Sequence, residues 1–239
     1  MTASLAGKTV LVVGGTSGMG YALAEKAAAA GANVHIVGRS VARLTEAKYS
    51  ITGNVTIHAV DLRNESEVVA LARTVARVDH LVTTAADNIF KPFVELSNED
   101  IEAMLTTKLW GAIYLIRHFA KRISPEGSIT LFGGAAALKG SPGASIVAAL
   151  NASMDGLART LALELAPIRV NTLSPGVVDT PAWDFLPTND RAAVLGSIGS
   201  SLPRGRVGTA EELAQAAFFL MTNGFTTGTV LQVDGGANA

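Results

Sequence analysis

The first thirty residues constrain the fold more than any other stretch. Lys8-Thr-Val-Leu-Val-Val13 reads as a buried strand, and Gly14-Gly-Thr-Ser-Gly-Met-Gly20 follows it directly. Tyr21 to Ala30 then reads as an alanine-rich helix that Gly31 stops. Strand, glycine turn and helix form the context in which a glycine pattern signals dinucleotide binding. Glycines let the backbone turn tightly and approach a phosphate closely. The helix N-terminus adds free N–H groups and a positive dipole end for a pyrophosphate.

The same alternation runs to the C-terminus. Strands are predicted at 33–37, 55–60, 80–84, 128–132, 168–173 and 229–233. Helices are predicted at 41–49, 65–76, from Ser97-Asn-Glu-Asp100 to about Arg122, at 143–166 and at 211–221. The strands are short, β-branched and apolar on both faces, as a parallel sheet covered by helices requires. There is no internal repeat and no linker. The expectation is one domain over 1–239, a Rossmann-like doubly wound α/β/α sandwich with a seven-stranded parallel sheet.

Composition narrows the function classes. The 239 residues are 49% hydrophobic and carry a formal net charge of −1 with no basic stripe, which argues against a nucleic-acid partner. There is no cysteine, so disulfides, thiol catalysis and cysteine metal sites are excluded. A reducing cytoplasm suits that composition. The four histidines, His35, His58, His80 and His118, show no metal-ligand spacing and read as structural or surface residues. The N-terminal segment lacks an apolar signal core, and no long uncharged run predicts a membrane span.

Over nearly its whole length the chain resembles the short-chain dehydrogenase/reductase family. Gly14, Gly18 and Gly20 match the spacing of that family's three glycines, with Thr16, Ser17 and Met19 completing the turn. Asp61-Leu62 resembles the segment after the third strand that binds adenine. Thr83-Thr-Ala-Ala86 sits where the family has Asn-Asn-Ala-Gly, which adds Ala85 and Ala86 to the cofactor set. Arg169-Val-Asn-Thr-Leu-Ser-Pro-Gly176 and Gly228-Thr-Val-Leu-Gln-Val-Asp-Gly-Gly236 resemble two late signatures. The resemblance implies a nicotinamide cofactor, with Pro175, Gly176 and Val178 lining its ring and Thr180 reaching its carboxamide or pyrophosphate. It also implies a homotetramer or dimer joined through the two long helices, where Leu109, Trp110, Ile113 and Leu161 are apolar enough for interface or core.

At the end of the second strand, an acid would accept the ribose hydroxyls of NAD. Gly38-Arg39-Ser40 stands there instead. A guanidinium can pair with a 2′-phosphate and Ser40 can add a hydrogen bond, so NADP(H) is expected over NAD(H). No carboxylate is apparent there to repel the phosphate.

The positions that carry the family's Ser, Tyr, Lys and Asn chemistry all differ. Gly134 aligns with the Ser, Val147 with the Tyr, Asn151 with the Lys and Lys108 with the Asn. The tyrosines at 21, 49 and 114 have no lysine four residues on. A positioned acid/base group contributes roughly 10²–10⁴-fold, so tyrosine-dependent carbonyl reduction is expected to be absent or very weak. Lys and Asn look exchanged. One reading keeps Asn151 at the cofactor ribose as well as in the site, with Lys108 supplying charge or a proton. The plain alternative points Lys108 into solvent or a subunit contact and leaves Asn151 to local packing.

The stretch from about 178 to 208 is the expected substrate lid, an apolar segment followed by the Gly/Ser run Gly196–Ser201. With Gly134, Val147, Trp183 and Phe185 it predicts a pocket for a small apolar substrate or ligand. Asp87 and Asn88 read as turn residues. Ser141 or Ser145 could cap the helix that carries Val147. Three classes stay open: an atypical NADP(H) oxidoreductase, a catalytically silent NADP(H) or ligand binder, and an inactive partner subunit of a related chain.

Overall fold

The structure is a computed structural model that describes residues 4–239; residues 1–3 of the expected domain lie outside it. The order of elements is β1 Thr9–Val13, α1 Gly18–Ala29, β2 Asn33–Gly38, α2 Val41–Ser50, β3 Asn54–Ala59, α3 Glu65–Thr74 and β4 Val78–Thr83. Then come α4 Asn98–Met104, a π-helical turn Leu105–Trp110, α5 Gly111–Phe119, β5 Ile123–Phe132, α6 Ser145–Glu164 and β6 Arg169–Pro175. The chain closes with β7 Val178–Asp179, α7 Thr188–Ser200, β8 Gly208–Thr209, α8 Ala210–Thr222 and β9 Val230–Val233. Seven strands form one sheet in the order β3-β2-β1-β4-β5-β6-β9, all parallel, and β7 pairs with β8 apart from it. This is the expected doubly wound sandwich.

Strand parity builds the two cores. In β1, Val10 and Val12 face one layer and Leu11 and Val13 the other, and all four are buried. The first layer packs Leu23 and Ala27 of α1, Leu44 of α2 and Leu213 and Leu220 of α8. The second packs Val68 and Leu71 of α3, Leu115 and Phe119 of α5 and Met154 and Ala158 of α6. A strand covered on both sides has no polar face to show, which is why the sequence runs apolar without alternation.

Three expectations are corrected. The first helix begins at Gly18, inside the glycine turn, rather than at Tyr21. The helix after Ser97 does open on a capping box of Ser97 and Asp100, but it widens into the π turn before continuing as α5. The Gly/Ser run 196–201 is mostly helix, the end of α7, rather than a loop. Gly196 and Gly199 each disfavour helix by about 1 kcal/mol relative to alanine. Gly199 is required by packing: a Cβ there would stand 2.8 Å from the Arg206 Cα. Buried Leu195 anchors the same helix.

Two buried polar groups fix the far side of the sheet. Arg169 donates from Nη1 to Leu220 O at 2.6 Å and from Nη2 to Met221 O at 2.7 Å, closing the last turn of α8. His80 on β4 sits 2.9 Å from Ser128 Oγ, and burial pushes its imidazole down to about 4, with the charge of Arg169 adding to the effect.

Two predictions follow from these groups. Arg169→Met should lower the unfolding free energy by roughly 2–3 kcal/mol, because buried carbonyl acceptors lose their partner; urea denaturation at pH 7.5 measures it. For His80, both states are neutral above pH 6.5, and between 6.5 and 4 the unfolded chain takes the proton first. Stability should therefore fall across that window by about 3 kcal/mol in total. His80→Gln should flatten the slope in urea titrations from pH 7 down to 4.5.

Candidate active site and cofactor cleft

The strand order reverses between β1 and β4, and the crevice beyond the carboxyl ends of those strands is where doubly wound sheets bind ligands. A cleft of about 880 Å³ lies there. Its walls include Gly14, Thr16, Ser17, Gly18, Met19, Gly20, Arg39, Asp61, Leu62, Ala85, Ala86 and Thr180, all expected from the sequence to touch a cofactor.

Close approach explains the glycines. A Cβ on Gly14 would stand 2.5 Å from Thr84 Oγ1, and one on Gly20 would stand 2.7 Å from the same oxygen. Gly14 and Gly18 hold positive φ, 85° and 53°, which glycine adopts without strain. Thr84 donates to the carbonyls of Val13 and Gly14, each at 3.2 Å, and so pins the end of β4 to the turn. Thr84 belongs to the Thr83–Ala86 motif, but this role becomes visible only in the fold.

The adenosine end is more crowded than expected. Arg39 forms a two-point ion pair with Asp87, Nη1 to Oδ2 at 3.0 Å and Nη2 to Oδ1 at 2.9 Å. Thr107 on the π turn donates to the same carboxylate at 2.9 Å. A carboxylate therefore does stand beside Arg39, supplied by the loop after β4 rather than by β2. Ser40 is the N-cap of α2, accepting from the Arg43 N–H, and does not line the cleft. The carboxylate of Asp61 is held by Arg63 through three contacts of 2.6–3.0 Å, a bond that holds it below the usual carboxylate range.

At the reaction end, Lys108 and Asn151 come together. Lys108 projects from the π turn, is 8% exposed, and donates to Gly133 O at 3.1 Å and to Asn151 Oδ1 in a short contact. The solvent-facing alternative for Lys108 is overturned. Burial pushes its ammonium down to about 8, opposed by the charge of Asp155. Asp155 lies one helical turn beyond Asn151 on α6, buried, and burial raises its carboxyl. The i, i+4 spacing of Asn151 and Asp155 was a sequence signal left unread. Gly134 lies under the amide: a Cβ there would meet Asn151 Nδ2 at 2.5 Å.

None of the expected pocket residues Gly134, Val147, Trp183 and Phe185 is among the walls of that cleft. Val147 is buried with Met104 and Leu150 in a small apolar cluster. Trp183 donates from Nε1 to Val178 O at 3.1 Å and stacks on Phe185, which is 72% exposed. Gly176, at the end of β6, abuts β9: its Cβ would stand 2.6 Å from the Asp234 Cα. Pro175 is buried as the last residue of β6, and Thr180 packs against Gly18. The helix carrying Val147 starts from Ala144 with no side-chain cap, so neither Ser141 nor Ser145 serves there. Among the described residues, no group of three or more His, Cys, Asp or Glu side chains is arranged to hold a metal. No described helix is long and apolar enough to cross a membrane.

A family model described as enoyl-(acyl carrier protein) reductase matches residues 13–238. A tropinone reductase homolog of Arabidopsis thaliana is 34% identical, with 98% of this chain and 92% of that protein covered. A 3-oxoacyl-[acyl-carrier-protein] reductase of Bos taurus is 33% identical over 96% of this chain and 97% of its own. A crystal structure of a small-chain dehydrogenase in complex with NADPH is similar at a TM-score of 0.81 and 32% identity, covering 97% of this chain and 98% of that one.

The contact between Gly134 and Asn151 is testable by a double-mutant cycle. Gly134→Ala should destabilise by about 1–3 kcal/mol through overpacking. In an Asn151→Ala background the same change should cost less, and the coupling free energy from thermal or urea unfolding reads the difference.

Proposed function

The chain belongs to the short-chain dehydrogenase/reductase family, and on that premise we propose that it is an NADP(H)-binding oxidoreductase whose proton chemistry rests on Lys108 and Asn151 rather than on a tyrosine. The observation that carries this reading is the buried contact of Lys108 with Asn151 beside Gly134. The bound cofactor would supply or accept the hydride. The residues that fit it are the glycine cradle of Gly14 and Gly20, where a Cβ would collide with neighbouring atoms, and of Gly18, whose φ is positive, with Arg39 for a 2′-phosphate.

An ammonium has three N–H donors, and two of those on Lys108 are engaged by Gly133 O and Asn151 Oδ1. Those two bonds orient the third. A substrate oxygen gaining negative charge would be stabilised by it and by the Asn151 Nδ2 amide, the two N–H donors standing in for a hydroxyl pair. A group titrating near 8 is protonated at neutral pH yet close enough to it to release its proton. Val147 offers no proton, so tyrosine-type reduction of ordinary ketones is absent or very weak. The exposed aromatic edge at Phe185 favours an apolar substrate.

We take the working form to be a dimer or tetramer in the cytoplasm. Trp110 is 46% exposed on the π turn and Leu163 is 81% exposed on α6, which supports a contact there, whereas Leu109 and Leu161 pack against the core. Residues 178–208 are read as the substrate lid, now with α7 as its rigid part. A second reading, a silent NADP(H) or ligand binder, or a partner subunit of an active relative, draws support from Val147, which is packed into an apolar cluster.

Turnover of activated carbonyl substrates with NADPH should fall as pH rises through about 8, where Lys108 loses its proton. Lys108→Met should lower kcat by about 10²–10³-fold and leave NADPH binding, read by cofactor fluorescence, within a few-fold. Equal turnover in the wild type and Lys108→Met would overturn the catalytic reading; no turnover in either, with NADPH still bound, would favour the silent binder.

A further inference from the structure

We propose that Asp87 sets the coenzyme preference of this chain, as an internal counter-ion that competes with a 2′-phosphate for Arg39. The inference rests on the reading of Arg39 as the 2′-phosphate partner and adds to it the residue against which that partner works.

The geometry carries the argument. Both terminal nitrogens of Arg39 are engaged by the two oxygens of Asp87 at 2.9 and 3.0 Å, and both residues line the cleft. A guanidinium presents five N–H donors in a planar fork, and the end-on pair that matches one carboxylate or phosphate edge is the pair Asp87 occupies. A 2′-phosphate arriving at Arg39 either displaces Asp87 from that edge or binds at the three remaining N–H donors with the carboxylate as a close neighbour. Both arrangements weaken its binding, the first through loss of the ion pair and the second through like-charge repulsion. A nucleotide with a free 2′-hydroxyl meets neither effect, because the pair stays intact.

Asp87 is also held in place. Thr107 Oγ1 donates to Asp87 Oδ2 at 2.9 Å, and Thr107 is buried on the π turn. When Arg39 turns toward a phosphate, that bond keeps the carboxylate at the cleft wall. The side chain of Asp87 is only 27% exposed, whereas that of Arg39 is 54% exposed, so the arginine is the partner free to move. Asp87 is therefore a positioning residue: it acts on the coenzyme through Arg39.

The test is a fluorescence titration of the full chain with NADPH and with NADH. The proteins are the wild type, Asp87→Asn, Asp87→Ser and Arg39→Gln alone and combined with Asp87→Asn, each checked for folding by thermal unfolding. Asp87→Asn should tighten NADPH on the order of tenfold and leave NADH within about twofold, and Asp87→Ser should move the same ratio the same way. A merely structural role would move both nucleotides together. An unchanged NADPH/NADH ratio in both Asp87 variants, parallel loss of both affinities, or failure of both variants to fold would overturn the proposal. Arg39→Gln separates it from the reading beneath. If that change weakens NADPH while the Asp87 variants gain nothing, only the competition by Asp87 falls. If it leaves NADPH binding untouched in both backgrounds, the guanidinium is not the phosphate partner and both readings fall.

Discussion

The contact on which the cleft depends is the meeting of the glycine turn with the end of β4. Thr84 Oγ1 lies within 2.5 to 2.7 Å of where a Cβ of Gly14 or Gly20 would stand, and it donates to the carbonyls of Val13 and Gly14. This brings the first helix, its N–H groups and the loop of Ala85, Ala86 and Asp87 around one crevice. A methyl group added at Gly14 or Gly20 would push Thr84 off the glycine turn. The energetic logic is that of packing: interiors are dense, and a site formed by close backbone approach tolerates no added atom.

Beyond that contact the molecule divides into a conventional binding half and, on the proposal made above, an unusual reacting half. The binding half uses backbone geometry, which side-chain substitution alters little so long as the glycines stay. The reacting half uses a buried cation whose surroundings are carbonyl, amide and a carboxyl raised by burial. Burying an ammonium is costly unless its hydrogen bonds are supplied. Gly133 O and Asn151 Oδ1 supply two of them, and Gly134 makes room for the amide that does so. Gly134, Asn151 and Lys108 thus form one unit: each residue accounts for the presence of another.

Legibility from sequence followed the range of the forces involved. Strands, helices and the glycine turn were readable because they rest on local periodicity and φ preference. The capping box at Ser97 was readable for the same reason. Position marked Arg39 as a candidate phosphate partner, but its ion-pair partner Asp87 lies 48 residues on, and no local pattern reports an ion pair across a cleft. Ser40 satisfied a helix N-terminus instead of facing the cleft, a competition that any short polar side chain at a helix start enters. Helix α7 was missed because glycine and serine argue against helix, while the burial of Leu195 and the approach of Gly199 to Arg206 decide for it. The exchange of Lys and Asn was visible as composition at two positions; that the two side chains touch was not.

The π turn between α4 and α5 has a consequence for how this chain can change over generations. It amounts to one surplus residue in a continuous helix, and each residue advances the helix by about 100°. The surplus lets Met104 join the apolar cluster under α6 while Leu115 and Phe119 keep to the sheet. Thr107, which holds Asp87, and Lys108, which bonds Gly133 and Asn151, both ride on that turn. Loss of a single codon there would restore an ordinary helix and rotate one end against the other. The segment is therefore closed to changes of length, so substitutions are the only route by which its chemistry can drift.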